Sequence, residues 1–295
     1  LVEDHDVDAV AVSLLHAYES DAHERLAGDV IIEEYPDLNV SLSSEVAPVI
    51  REYERTSTVA INAYVAPVVA DYLDYLRSEL RAEGFDGEVY MMTSSGGVVD
   101  LATAKAEPIR LVESGPAAGV LASRIFGANH DSEDVFTFDM GGTTAKGSVV
   151  EDGEVRMKYA TDVARVHRFK EGSGYDLVSP LIDLAEIGAG GGSIASVNDV
   201  GLVEVGPESA GSDPGPVCYN QGGESPTVTD ASLLLGYLDP DAFYGGRMDL
   251  ASDRTREVFE ETLADPLGLS VTEAAWRVFE VVNENMATAF RRYAA

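Results

Sequence analysis

The sequence predicts an α/β fold, and three observations predict it. Short apolar runs of strand length alternate with segments whose apolar residues recur every three or four positions. Glycine pairs and triplets follow several predicted strands, where a sheet hands over to a loop or helix. The 295 residues are 45% hydrophobic and 24% charged, a globular composition that can bury a sizeable core. Strands alternating with helices pack as layers around a sheet, here with an antiparallel portion.

Taken in order, residues 7–15 read as a buried strand of a parallel sheet, preceded by the tail of a helix. Residues 21–34 are predicted helical, and 38–42 form a short strand after Pro36. A long helix follows over 45–83, broken or kinked near Pro48 and Pro67. Its apolar spacing predicts one buried face that includes Val49, Tyr53, Ala60, Ala63, Val68, Tyr72, Leu76 and Leu80. Residues 89–92 form a strand entering the turn 93–97, and another helix starts at 115–122. The strand 135–138 leads into 139–144. Residues 147–150, a turn at 151–153 and 154–159 then complete a β-meander. From 172 to 246 glycine and proline dominate, with few helical signals before Thr229. Helices at 253–264 and 271–292 close the chain; in the second, Ala275, Val278, Phe279, Val282, Met286 and Phe290 trace one face. Neither end carries a boundary signal, so the chain reads as a piece of a longer polypeptide.

The formal charge is −32, with 20 basic against 52 acidic residues. Such a field repels phosphate backbones and anionic lipid, which argues against nucleic-acid or membrane-surface binding. No apolar stretch approaches the roughly 18 residues of a membrane span, and no signal peptide opens the chain, so a cytoplasmic protein is expected. Only Lys105, Lys146, Lys158 and Lys170 are lysines, and acids are spread over the whole length. This pattern suits a halophilic surface, on which abundant salt screens self-repulsion. A single cysteine, Cys218, excludes a disulfide scaffold; without a local histidine it reads as a buried structural thiol. His16, His23 and Glu24 do not have a familiar zinc spacing.

Three glycine clusters carry the chemistry. In Phe138-Asp-Met-Gly-Gly-Thr-Thr-Ala-Lys146, Gly141 and Gly142 let the backbone turn sharply and bring its N–H groups to an anion. Thr143 and Thr144 add hydroxyls, and Asp139 could orient Mg²⁺ or its waters. A tight hairpin with incidental polar residues is the plainer reading of the same residues. In Glu186-Ile-Gly-Ala-Gly-Gly-Gly-Ser193, the glycines at 188, 190, 191 and 192 imply backbone set close to a ligand or to another segment. Ser193 adds a hydroxyl and Glu186 a base. The third cluster, 206–223, is a rigid turning loop, after which Thr229 or Asp230 caps a helix.

Together with Val205-Gly-Pro-Glu-Ser-Ala-Gly211, Asp213-Pro-Gly-Pro-Val-Cys-Tyr219 and Pro226-Thr-Val-Thr-Asp-Ala231, these clusters resemble the hydantoinase A / 5-oxoprolinase family. Ser41-Leu-Ser-Ser-Glu45, Tyr53-Glu-Arg-Thr-Ser-Thr58 and Ser114-Gly-Pro-Ala-Ala-Gly119 extend the match over nearly the whole chain. The resemblance implies an actin-like ATPase fold with ribonuclease-H-like lobes. Residues 1–50 would end the N-terminal lobe, and 51–295 would belong to the central domain. It also implies ATP-dependent opening of a hydantoin or 5-oxoproline-type ring, with relatives among acetone and acetophenone carboxylases. Asp139 to Thr144 look like the second phosphate loop, which makes ATP and Mg²⁺ the expected cofactors and a small cyclic amide the substrate. Asp139 and Glu186 are the expected catalytic residues. Gly141, Gly142, Thr143, Thr144, Gly188, Gly190, Gly191, Gly192 and Ser193 are the expected nucleotide contacts. A hydantoinase B-type subunit is the expected partner. The family's first phosphate loop and late adenosine-like motif do not occur in this chain, so it is expected to be inactive alone. A carboxylase subunit and a nucleotide-gated regulatory subunit are the alternatives.

Overall fold

The computed structural model describes residues 2–167 and 172–294. The terminal residues Leu1 and Ala295, on which the reading of cut ends rests, lie outside them. The chain divides into two compact units. One comprises residues 1–135 and 150–183, the other 136–149 and 184–295.

The first unit opens with the short helix α1 (Val2–His5) and strand β1 (Ala9–Val12), then α2 (Ala22–Glu34) and β2 (Asn39–Leu42). β1 and β2 pair in parallel, Ala9 opposite Asn39 and Val12 opposite Leu42, so residues 7–15 do supply a strand of a parallel pair. β1 is shorter than the apolar run 7–15 and only half-buried, because the pair makes a two-stranded sheet rather than the middle of a wide one. After the turn α3 (Ser43–Val46), Pro48 keeps the chain extended before α4 (Glu52–Ala82), a helix that runs unbroken through Pro67. The hairpin β3 (Tyr90–Met92) and β4 (Val98–Asp100), the helices α5 (Leu101–Ala106) and α6 (Ser114–Ala128), and several short strands complete the unit.

The predicted buried face of α4 is corrected by the structure. Tyr53, Val68 and Tyr72 are exposed, whereas Arg55, Thr58, Val59, Asn62, Ala63, Ala66 and Leu73 are buried. The inward face is partly polar because its partners are backbone groups and polar side chains. Asn62 donates to the Ser41 hydroxyl and the Ala106 carbonyl, and Arg55 donates to the Leu14 and Val49 carbonyls and to Ser43. Buried polar groups are stable only when bonded in this way. A hydrophobic periodicity cannot see such a face.

The strands β5 (Val135–Met140) and β6 (Ala145–Glu151) form the hairpin from which the second unit grows. Continuing in the first unit, β7 (Glu154–Val155) pairs with the far end of β6, as the expected meander requires. The next strand, β8 (Met157–Lys158), leaves that meander and pairs instead with β11 (Leu181–Ile182). Between them, β9 (Thr161–Val163) pairs with β10 (Tyr175–Leu177). Leu177 and Leu181 join Ile109 in a small core.

In the second unit, β12 (Ala185–Ile187) lies antiparallel to β6, giving the sheet order β12-β6-β5. The hairpin β13 (Ser193–Val197) and β14 (Val203–Ser209) follows, then α7 (Val228–Leu234). α8 (Ser252–Phe259) widens into a π-helical turn over Glu260–Ala264, and α9 (Asp265–Leu267) ends it. α10 (Val271–Ala294) buries Ala275, Val278, Val282, Met286 and Phe290, the face predicted from spacing, with Phe279 half-buried beside it. Phe290 meets Phe136 and Phe138 edge-on, with ring centroids 5.1 and 5.6 Å away. That packing fixes the start of β5 on α10 and leaves its other end to the loop.

Candidate functional site

The loop after β5 is a tight turn closed by the Gly141 N–H, which donates to the Thr144 carbonyl at 2.9 Å. Gly141, Gly142 and Thr143 are exposed at its tip. A Cβ on Gly142 would meet nothing within 4 Å, so the space over the tip is open. Open space beside exposed backbone amides is what an anion needs.

A second glycine segment braces this turn from behind. The Gly191 N–H donates to the Gly141 carbonyl at 3.0 Å, and the Gly192 N–H donates to the Gly142 carbonyl at 2.7 Å. Gly190 sits so close that a Cβ there would lie 2.6 Å from the Gly142 carbonyl carbon and oxygen. The glycines are therefore demanded by contact between two chain segments. Ser193, fully buried, closes the brace: its hydroxyl accepts from the Gly190 N–H at 2.9 Å. Gly190, Gly192 and Ser193 are buried, Gly188 and Gly191 half-buried.

α7 anchors the brace in turn. The Thr229 amide and hydroxyl both donate to the Gly191 carbonyl, at 2.7 and 2.8 Å. The cap of α7 is Thr227, reciprocated by Asp230; Thr229 is not the cap. Asp230, wholly buried, accepts from the amides of Thr227, Val217 and Cys218 and from the Thr227 hydroxyl. It thus ties the 206–223 loop to the helix. Cys218 is buried beside it, and burial, reinforced by the Asp230 charge, pushes its thiol pKa far above the usual range. A buried thiol is what the sequence predicts and what the structure shows.

The carboxylates lie on the sheet. Glu186 in β12 stands opposite Lys146 in β6, with Nζ 4.0 Å from Oε1. The Gly141–Thr144 closure, with the Thr137 hydroxyl bonded to the Ser148 amide and carbonyl, sets Asp139 opposite Lys146 on the other side. Asp139, Lys146 and Glu186 therefore form one row across three strands, just before the loop. Asp139 and Glu186 are exposed. The sequence reading had both acids but gave Lys146 no role. The signal was available, since Lys146 follows the motif's last threonine by two residues and alternation puts it on the same sheet face as Asp139.

Among the described residues, no three His, Cys, Asp or Glu side chains are arranged to hold a metal ion. Asp139 is nevertheless suited to Mg²⁺ carried on phosphate oxygens, because magnesium takes one or two carboxylates and keeps much of its water. Among the same residues no helix is long and apolar enough to cross a membrane.

The site is thus an exposed turn at a strand end of an α/β protein, braced by a second glycine loop. The chain belongs to the hydantoinase/oxoprolinase family, whose sequence profile matches residues 55–295. It is 36% identical to the caprolactamase subunit alpha of Pseudomonas jessenii, over 97% of this chain and 40% of that protein. It is also 36% identical to the acetophenone carboxylase gamma subunit of Aromatoleum aromaticum, over 99% of this chain and 39% of that protein. The nucleotide-free structure of acetone carboxylase, an enzyme of ATP-dependent acetone carboxylation, matches with a TM-score of 0.79 and 29% identity. That match covers 98% of this chain and 40% of that one. The chain thus spans about two fifths of the length of these relatives.

Proposed function

We propose that this chain is the central part of an ATP-dependent enzyme subunit that opens a small cyclic amide by phosphorylating its oxygen. The observation that carries the reading is the exposed Gly141–Thr143 tip, braced by Gly191 and Gly192, with Asp139 at the strand end before it. In this reading the fold is that of an actin-like ATPase and the tip is its second phosphate loop. Residues 1–50 end an N-terminal lobe and 51–295 form the central domain. A hydantoinase B-type subunit completes the assembly, in keeping with relatives that are named as subunits.

The chemistry follows from the weakness of an amide as an electrophile. Gly142 and Thr143 hold the terminal phosphates through backbone N–H groups and the Thr143 and Thr144 hydroxyls. Asp139 would hold Mg²⁺, which supplies charge neutralisation on the phosphate oxygens. The amide oxygen takes the γ-phosphoryl group and ADP departs. Water, deprotonated by Glu186, then adds to the ring carbon. The C–N bond breaks, the nitrogen takes a proton, and a second water hydrolyses the acyl phosphate to carboxylate and inorganic phosphate. Lys146, between the two acids, keeps the row from accumulating negative charge as phosphate approaches. Gly188, Gly190 and Ser193 act by holding the brace.

A carboxylase reading has the same support in identity, 36% for each of the two relatives compared above. It uses the same loop to phosphorylate an enolate oxygen and bicarbonate. Turnover of ATP by the assembled enzyme separates the readings. Stimulation by a cyclic amide is the expected result, and stimulation only by a ketone with bicarbonate would establish the carboxylase. ATP binding without turnover under either condition would leave a regulatory subunit.

A further inference from the structure

The helix α4 has a second face that the core does not use. Tyr53, Tyr64, Val68 and Tyr75 are 63–85% exposed, and Ala60 among them is exposed too. At about 100° per residue these five lie within about 40° of one line along the helix. That line runs opposite the buried Arg55, Asn62 and Ala66. Among the described residues along it, Asp71 alone is charged, in a chain of net charge −32. An aromatic stripe so free of charge is the composition of an interface core rather than of a solvated helix face.

The spacing of the stripe says what covers it. Counted from Tyr64, Ala60 and Val68 stand four residues away on either side, and Tyr53 and Tyr75 eleven. The stripe therefore reads the same from both ends in position, with tyrosine at its centre and at both tips. A two-fold contact requires this, because one patch must complement itself and residue i must meet j while j meets i. Two copies of α4 laid antiparallel about Tyr64 set Tyr53 against Tyr75 of the second copy. They also set the small Ala60 against the larger Val68 of the second copy. A covering segment from elsewhere in a polypeptide needs a face that fits it, not one that is symmetric about its own centre.

Area and charge agree with that occupant. The four tyrosines at 53, 64, 72 and 75, with Val68, offer roughly 650 Å² per copy at about 200 Å² for a whole tyrosine, so a pair buries about 1,300 Å², within the roughly 1,200–2,000 Å² of specific interfaces. Two copies of an acidic chain repel over most of their surface, so they can meet closely only where the acids are missing.

We propose that the outer face of α4 is a two-fold interface between two copies of this chain, centred on Tyr64. The pairing does not depend on the phosphate-loop reading.

Sedimentation of the full-length protein in molar KCl tests it, with cross-linking to fix the register. The wild type is expected to form a dimer at micromolar concentration, and Tyr64→Asp should weaken it by at least about tenfold. Circular dichroism and melting temperature check that the variant is folded, as the exposure of Tyr64 predicts. With a short bis-maleimide, Tyr64→Cys should cross-link two copies of the chain, whereas the buried Cys218 of the wild type should not. Tyr53→Cys and Tyr75→Cys should cross-link to each other when mixed, and neither to itself. A monomeric wild type, a dimer that Tyr64→Asp leaves unchanged, or a cross-link from position 64 to a different polypeptide would each overturn the proposal.

Discussion

The Gly192 amide donates to the Gly142 carbonyl at 2.7 Å, so the second glycine cluster holds the first in shape. Two substitutions separate bracing from binding. Gly190→Ala places a methyl 2.6 Å from the Gly142 carbonyl and should cost about 2–3 kcal/mol, read as a lower denaturation midpoint. Gly142→Ala meets nothing within 4 Å and should leave stability within about 1 kcal/mol, while the methyl obstructs the anion and lowers ATP turnover of the assembled enzyme. Equal stability of the two variants would contradict the bracing role.

Asp230 serves three amides and a hydroxyl while fully buried. Asp230→Ala strands those donors and should cost at least about 3 kcal/mol in urea unfolding. Cys218 reports the same region. Its raised pKa and burial predict no reaction with iodoacetamide in the native state and full reaction in urea. Native labelling at the rate of a free thiol would show that the loop does not stay packed.

Much of this was legible in the sequence, and the failures have a common cause. Spacing alone located α10 and its buried face, because Val278, Val282, Met286 and Phe290 pack on other apolar groups. It misassigned α4, because Arg55, Thr58 and Asn62 are buried by hydrogen bonds that a periodicity of apolar residues does not register. The glycines of 188–192 were legible as a close approach, but the chain segment they approach emerged only from the bonds of Gly191 and Gly192 to the first loop. Lys146 was passed over because its meaning is lateral, in the row with Asp139 and Glu186 across three strands.

The buried acid Glu24 gives a pH dependence. Burial alone would raise its pKa, but hydrogen bonds from the Ser43 hydroxyl and the Ser44 and Leu14 amides outweigh this and hold it below its ordinary 4.5. A carboxylate with a depressed folded pKa stabilises the fold fully above the unfolded value, and that contribution is lost as pH falls through the folded one. Glu24→Gln should therefore lower the melting temperature at pH 7 and reduce the fall on acidification below about pH 4.5. An acid limb unchanged by the substitution would remove Glu24 from the account.

The charge of −32 predicts a salt requirement. Diluting KCl from molar to millimolar lengthens the screening distance from about 3 Å to tens of ångströms and exposes self-repulsion among the acids. The melting temperature should fall steadily on dilution. A level profile would mean that the acidic surface is not an adaptation to salt.

In the proposed function, the turn after β5 takes the phosphates of ATP with Asp139 beside it. Asp139 is exposed and lies in an edge strand of the sheet, so Asp139→Asn should leave folding intact. The direct measurement is ATP turnover by the full-length assembled enzyme with its cyclic amide, wild type against Asp139→Asn at matched melting temperature. A loss of about a hundredfold or more, of the size seen when one stabilising group is removed from a reacting oxygen, is the predicted result. Turnover within about twofold of wild type would place the phosphates elsewhere and contradict the account.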